Sequence, residues 1–506
     1  MNNSTVILHG LAFSGIEPQD VAVQVQIARG MPSFSIVGLA NKSVAEAKQR
    51  VWSAFASLSI SLPYQRITVN LAPADLVKDG SHFDLPIALG LLAILDMVPY
   101  EEISEYLIIG ELSLDGSIMP VNGVLPAAIA AVSRNKGLIC PATNVAEAAW
   151  SGNKSILAPC NLTQLMQHFS GEKMMNVTPA NLALPAEQYP DLKDIKGQKF
   201  AKRALEIAAA GGHNLLMIGP PGSGKSMLAR RLPGLLPPMS AEEILEVSVI
   251  ASIAGILNKE EGLVNKRPYR DPHSSASMPA MVGGGRKGQP GEVTLAHHGI
   301  LFLDELPEFQ REVLESLRQP MESRTISIAR VNAHVTYPAD FMLVAAMNPC
   351  KCGYFGTNHA NCTRIPRCAQ DYQNRISGPL WDRFDLAIVV PQINLMLAKA
   401  EDNTETSEVV RNRVYTARAT QRARYSDKAV KLNAHIDGDL LSMAVQLDLS
   451  SRELLANYAE KFHLSGRAVH RVMRVARTIA DLENQEDVSI SHVSEAISYR
   501  VRRQAG

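Results

Sequence analysis

The feature that most limits how this chain can fold is Gly219-Pro220-Pro221-Gly222-Ser223-Gly224-Lys225-Ser226, which fits the pattern G-x-x-x-x-G-K-[ST]. It lies between an apolar run, Leu215-Leu216-Met217-Ile218, and an amphipathic stretch beginning Met227-Leu228-Ala229-Arg230-Arg231-Leu232. The first reads as a short buried strand and the second as a helix, the strand–loop–helix context of a phosphate-binding loop. Glycines there bring backbone N–H groups close to phosphates, and the helix N-terminus adds positive dipole. Lys225 would neutralise charge on the β- and γ-phosphates, and the Ser226 hydroxyl would complete the shell of a Mg²⁺ ion. The expected ligand is a nucleoside triphosphate.

Further strands supply the remaining chemistry. Ile300-Leu301-Phe302-Leu303 is apolar and ends in Asp304 and Glu305. Asp304 would hold Mg²⁺ through water, and Glu305 would polarise the attacking water, both from a strand's carboxyl edge beside the phosphate loop. Phe341-Met342-Leu343-Val344-Ala345-Ala346-Met347 ends at Asn348, a polar tip suited to orienting that water or the γ-phosphate. Arg383 cannot easily reach its own nucleotide but could serve a neighbour's as a finger supplied in trans; an ion pair within its own subunit is the alternative. Arg467 begins a later helix, from which it could touch the γ-phosphate and report its loss. The alternative is a solvated face shared with Arg471 and Arg474.

At 506 residues the chain has room for about three domains. Residues 1–168 read as mixed α/β, with strands at Val6-Ile7-Leu8, Val21-Ala22-Val23-Gln24-Val25, Phe34-Ser35-Ile36-Val37 and Ile67-Thr68-Val69-Asn70-Leu71, and helices over 43–58 and 84–95. Residues 169–190, rich in Pro, Asn and Ala from 177, read as a linker. Residues 191–403 alternate strands and helices as a parallel sheet requires, and 404–506 carry only helical periods. Lys+Arg and Asp+Glu are equal at 50 each, so any nucleic-acid surface must be local. No apolar run is long enough to cross a bilayer, and Met1-Asn2-Asn3-Ser4 lacks a basic region, so no membrane partner and a cytoplasmic location are expected.

The order of phosphate loop, acidic strand, Asn-tipped strand, arginine and helical bundle resembles the AAA+ ATPases. Segments 270–277, 282–297 and 323–338 look like the extra hairpins of the magnesium-chelatase and MCM-helicase branch. With Asp304-Glu305-Leu306-Pro307-Glu308-Phe309 and Asn348-Pro349-Cys350, the pattern is similar to the YifB/ComM family of magnesium-chelatase-like ATPases over essentially the whole chain. The resemblance implies an AAA+ parallel-sheet core at 191–403, a helical lid at 404–506, a homo-hexamer, and ATP with Mg²⁺. It further implies a DNA partner, single-stranded or branched and bound without sequence specificity, acted on by helicase or branch-migration activity in recombination, as in natural transformation. The alternative class is a protein-remodelling or chelatase-type motor acting on a partner protein.

Segments 71–88 and 110–125 resemble the parts of Lon-type proteases that carry the catalytic serine and lysine. His82 and Leu125 stand at the matching positions, Ser81 is one place off, and no lysine occurs from 79 to 135. A Ser–Lys dyad needs a hydroxyl beside a neutral amine. The expectation is therefore a Lon-like α+β domain without the dyad, kept as a binding or assembly platform, with His82 a packed or exposed histidine.

Cys350, Cys352, Cys362 and Cys368 are spaced C-x-C-x9-C-x5-C. Four thiolates so placed could close a tetrahedral Zn²⁺ site and staple a loop with few apolar residues; reduced thiols and a redox disulfide are the other readings. Cys140 and Cys160 read as core residues. For DNA, Arg330 on the 326–335 hairpin is the first candidate, and Arg286 with Lys287 in the 283–291 loop the second. Such contacts would track phosphates rather than read bases. Arg411, Arg418 and Arg422 share a helical face that reads as solvated.

Overall fold

Four consecutive apolar residues without polar alternation call for a strand covered on both faces. Leu215–Ile218 is such a strand, fully interior to a five-stranded sheet. The computed structural model describes residues 5–38, 42–175, 189–258, 262–284, 288–329, 334–353, 355, 367–393 and 405–500. In the sheet the order is Tyr269–Arg270, Ile300–Leu303, Met342–Met347, Leu215–Ile218, Leu386–Val389. All pairings are parallel, as strands joined through crossover helices must be. Leu215 and Met217 face a core completed by the helix Lys199–Gly211 and by C-terminal helices. Leu216 and Ile218 face the opposite core, with Val313, Leu317, Ile376 and Leu380.

The C-terminal segment is helical, as its periodicity predicts: Ser407–Arg424, Gly438–Ala444, Leu449–Lys461, Gly466–Leu482 and Ile490–Ser498. These helices are not an independent bundle. Val410, Val414, Val472, Val475 and Ile479 share one apolar cluster with Leu205, Leu215 and Met217 of the core. The predicted solvated arginine face is therefore corrected at Arg418, which is 6% exposed and donates from Nε to the Ala209 carbonyl at 2.9 Å.

The N-terminal segment forms a seven-stranded mixed sheet in the order Ser33–Val37, Arg66–Ala72, Glu17–Ala28, Thr5–Ser14, Tyr106–Ile108, Gly137–Ile139, Ile156–Leu157. Thr5–Ser14 and Glu17–Ala28 make an antiparallel hairpin whose turn contains Gly15 at φ +68. A Cβ on Gly15 would lie 2.8 Å from Val335, so this turn is pressed against the core insert. The helix Asp84–Ile94 is buried along nearly its whole length, and its first residue meets Arg50 in a two-point ion pair at 2.6 and 3.0 Å. Burial still pushes the Asp84 carboxyl up to about 6. Cys140 is buried as expected; Cys160 is exposed instead, in the turn before the Asn161-capped helix Leu162–Phe169. Among the described residues no helix is long and apolar enough to cross a membrane.

Two insertions decorate the core. Thr325–Ala329 and His334–Pro338 pair antiparallel, and Gly283–Gly284 pairs with Gln289–Pro290. Their tips, with the candidates Arg330, Arg286 and Lys287, lie outside the described residues, as do Cys362 and most of the expected linker.

Candidate functional site

The order of the strands changes sense about Leu215–Ile218: the next strand in sequence, Tyr269–Arg270, is placed three positions away at the edge of the sheet, and the last one, Leu386–Val389, lies on its other side. Ligands of open α/β sheets bind at the carboxyl edge beside such a point. There the loop leaves the strand through Gly219, whose backbone is so close to Val390 that a Cβ would sit 2.2 Å from the Val390 oxygen. Gly222 and Gly224 hold φ of +74 and +91, conformations that favour glycine. Gly224 precedes the short helix Lys225–Ala229.

The predicted residues converge on this loop. Lys225 donates to the carbonyls of Gly219 at 2.7 Å and Pro220 at 3.0 Å, and to Asn348 Oδ1 at 3.4 Å. Burial lowers its pKa, against the pull of Asp304 and Glu305. Ser226 Oγ donates to Asp304 Oδ2 at 2.7 Å. Asp304 Oδ1 in turn accepts the Glu305 N–H at 2.9 Å. The exposed Glu305 adopts φ 52 and ψ 46, which turns the chain sharply at the strand end. Ser223 Oγ is buried without a hydrogen-bond partner among the described residues. The Lys225 amine and the Ser223 hydroxyl can donate to phosphate oxygens, and the Ser226 hydroxyl with the Asp304 carboxylate offers oxygens to a Mg²⁺ ion, so the residues fit a triphosphate with its Mg²⁺.

Two contributors were missed in the sequence. Gln198 donates to the Ser223 carbonyl at 3.3 Å and the Pro391 carbonyl at 2.7 Å, bracing the loop from the start of the preceding helix Lys199–Gly211. Asp271 follows the two-residue strand Tyr269–Arg270 beside Asp304 and lies 3.8 Å from Arg230. Its pKa is raised by burial, then by the Asp304 charge, against Arg230. A strand of two residues carries no periodicity, so nothing in the sequence marked Asp271 as a strand-edge carboxylate.

The two arginines are elsewhere. The Arg383 carbonyl accepts from Asn214 Nδ2 at 3.2 Å, at the amino end of the strand whose other end starts the phosphate loop. Its guanidinium bonds the Pro379 carbonyl at 2.7 Å and pairs with Glu322 of the same chain. Burial first, and then the charges of Arg318 and Arg467, lower its pKa. Arg467 thus lies near Arg383 rather than among the groups around Lys225. One turn further, Arg471 is 3.5 Å from Asp385, which also accepts the Asn214 N–H at 3.1 Å.

Cys350 Sγ is 3.0 Å from Cys352 Sγ, which is 3.9 Å from Cys368 Sγ, and the Phe355 N–H points at Cys350 Sγ at 3.3 Å. These thiols could hold a metal. Glu246, His297 and His298 also converge, but the Asp340 N–H occupies His297 Nδ1 at 3.0 Å. The neutral His297 ring then carries its proton on Nε2, turned to Glu246 at 3.1 Å, and has no lone pair free for an ion.

In the N-terminal segment Ser81 donates to the Glu111 carboxylate, not to an amine. Lys78, just outside the lysine-free interval, is fully buried and bonds the Pro73 carbonyl. His82 is packed: Nε2 donates to the Leu11 carbonyl at 2.8 Å, and burial pushes its pKa down to about 4.

A phosphate loop, a strand ending in paired acids and an Asn-tipped strand at one edge of a parallel sheet define the class of AAA+ ATPases. Residues 191–397 match the family described as magnesium chelatase, subunit ChlI; 23–144 match the subunit ChlI description and 404–500 its C-terminal part. The chain is 42% identical over 505 residues to competence protein ComM of Haemophilus influenzae, covering 98% of this chain and 97% of that one. It is 41% identical over 498 residues to the uncharacterised protein YifB of Escherichia coli, covering 98% and 97%. A shorter likeness, 27% over 216 residues, covers 41% of this chain and 25% of the Drosophila melanogaster DNA replication licensing factor Mcm6. The chain belongs to the YifB/ComM family of magnesium-chelatase-like AAA+ proteins.

Proposed function

We propose that this protein is an ATP-driven DNA motor that assembles as a hexameric ring, hydrolyses ATP between protomers and migrates branched recombination intermediates in the cytoplasm. The observation that carries hydrolysis between protomers is the position of Arg383 and Arg467. They flank the amino edge of the sheet, separated from Lys225 by the strand Leu215–Ile218, roughly 13 Å of extended chain. Neither is arranged to touch its own nucleotide, so both are assigned to a neighbour's γ-phosphate. Release of Arg383 from Glu322 would accompany assembly.

Lys225 binds the phosphates, Glu305 orients the attacking water and accepts its proton, and Asn348 aligns that water with the γ-phosphate. Ser226 and Asp304 would hold Mg²⁺, which supplies charge neutralisation on the β- and γ-oxygens. The DNA reading is supported by the name of the ComM relative and the partial likeness to Mcm6. The hairpin Thr325–Ala329/His334–Pro338 leads directly into the Asn348 strand, so nucleotide state could move a tip bearing Arg330, with Arg286 and Lys287 on the second insert. The helices from 404 act as a lid, and the Lon-like N-terminal segment, without a Ser–Lys contact, as an assembly platform. The three described thiols, with Cys362, are assigned to structural zinc.

The test is ATP turnover of the purified protein with single-stranded, duplex and four-way-junction DNA. Severalfold stimulation by single-stranded or branched DNA is expected. Stimulation by a partner protein and none by any DNA would replace this reading with a protein-remodelling or chelatase-type motor.

A further inference from the structure

A cavity of about 480 Å³ opens at the amino edge of the five-stranded sheet, the end away from the phosphate loop. The base of the long hairpin contributes Arg324 and Asp340, the helix Ala241–Ala254 contributes Glu243, and the C-terminal segment contributes Arg418, Arg422 and Lys431. Its lining carries five guanidinium or ammonium groups, with Arg267, against three carboxylates, with Glu242.

The anomaly is Arg418. Its side chain is 6% exposed, and its one hydrogen bond to protein among the described residues runs from Nε to the Ala209 carbonyl. The two terminal amino groups have no partner there. Burial and then the charges of Arg267 and Arg422, against the weaker pull of Glu243 and Asp340, bring the guanidinium down to about 9. No carboxylate among the described residues forms an ion pair with Arg418: Glu243 is engaged by Arg267 at 2.9 Å and by the Ser240 N–H at 3.0 Å, Asp340 lies 3.9 Å from His435, and Glu242 lines the cavity without reaching the guanidinium. His435 Nδ1 faces Arg324 at 3.4 Å, and an imidazole, neutral or protonated, is no counter-ion for a guanidinium. A buried cation without a counter-ion is costly, and an apolar side chain of similar size would serve the fold better. A guanidinium fork open to a cavity is well matched to a phosphate.

We propose that this cavity is an anion site that takes a phosphate dianion, either inorganic phosphate or the phosphate of a mononucleotide, held by Arg418, Arg422 and Lys431. The bound anion would join the hairpin base to the C-terminal helices. The site is separate from the triphosphate loop and rests on this chain's own residues.

Titration calorimetry and thermal melting of the full chain test it in a Lys225→Ala background, which weakens phosphate binding at the loop. The probes are inorganic phosphate and dTMP in phosphate-free buffer. At about 100-fold above its dissociation constant, the anion should raise the melting temperature by several degrees. Adding Arg418→Met should abolish that response, and adding the surface change Arg422→Ala should weaken anion binding about tenfold. Binding of inorganic phosphate identifies the free ion as sufficient; binding of dTMP alone identifies a nucleotide. An anion response unchanged by both substitutions, or no binding of either probe, overturns the proposal. Arg418→Met melting no lower than its parent without phosphate would show that the guanidinium is there for a ligand and not for the Ala209 carbonyl.

Discussion

Glu305, the base proposed above, is also the strained residue of the site. A left-handed backbone at a non-glycine position costs about 1 kcal/mol or more and persists only where the surroundings impose it. Here the Asp304 carboxylate accepts the Glu305 N–H and holds the backbone at that turn. Glu305→Gln should therefore retain ATP binding and slow turnover by about 100-fold or more, measured as phosphate release; normal turnover would assign the base elsewhere. A second residue-scale consequence concerns acid. His82 is held at about 4 rather than 6.5, so the unfolded chain binds more protons between those values and stability from this residue falls as pH drops. Asp84, raised from 3.8 to about 6, acts in the opposite sense over an overlapping range. The two offset each other, and His82→Gln should unmask the difference. Relative to wild type it should gain about 2 kcal/mol on moving from about pH 7.5 to about pH 5, read from urea midpoints. A constant difference would mean that His82 is not held neutral.

Asp385 ties three elements together. It receives the Asn214 N–H at 3.1 Å before the phosphate-loop strand, and lies 3.6 Å from His213 and 3.5 Å from Arg471 on the helix Gly466–Leu482. Burial opposes ionisation, yet His213 and Arg471 hold its carboxyl below the usual range. Asp385→Ala leaves Arg471 buried and unpaired and should cost about 3–5 kcal/mol, seen by calorimetry; a loss near zero would show that the contact is solvated. The cysteine loop makes the other element-scale prediction. The purified protein should carry about one zinc per chain, and Cys368→Ser should lose it and lower the melting temperature. Metal-free, fully stable protein would leave reduced thiols. Amphipathic periodicity made Gly466–Leu482 readable in the sequence, and an unbroken apolar run marked Asp84–Ile94. Tyr269–Arg270 and Gln198 were not readable, because two residues have no period and a left-handed Gln has no local marker.

At the scale of the whole molecule, the far placement of Arg383 predicts complementation. Lys225→Ala and Arg383→Ala should each abolish turnover alone, and mixing them should restore a measurable fraction, because some interfaces then join an intact loop to an intact arginine. Mixtures as inert as their parts would place Arg383 in its own subunit's structure, where Glu322 already holds it. Residues 219–226, Asp304, Glu305 and Asn348 were legible because their chemistry depends on local chain geometry: a glycine loop after a strand, acids and an amide at strand ends. Sequence by itself therefore determined the parallel-sheet core and the nucleotide-facing edge. Only tertiary packing decided that the C-terminal helices share the sheet's core, that Arg467 sits near Arg383, and that Arg418 is buried beside other cations. Burial and charge neighbourhood are sums over segments distant in the chain, and no local pattern encodes them.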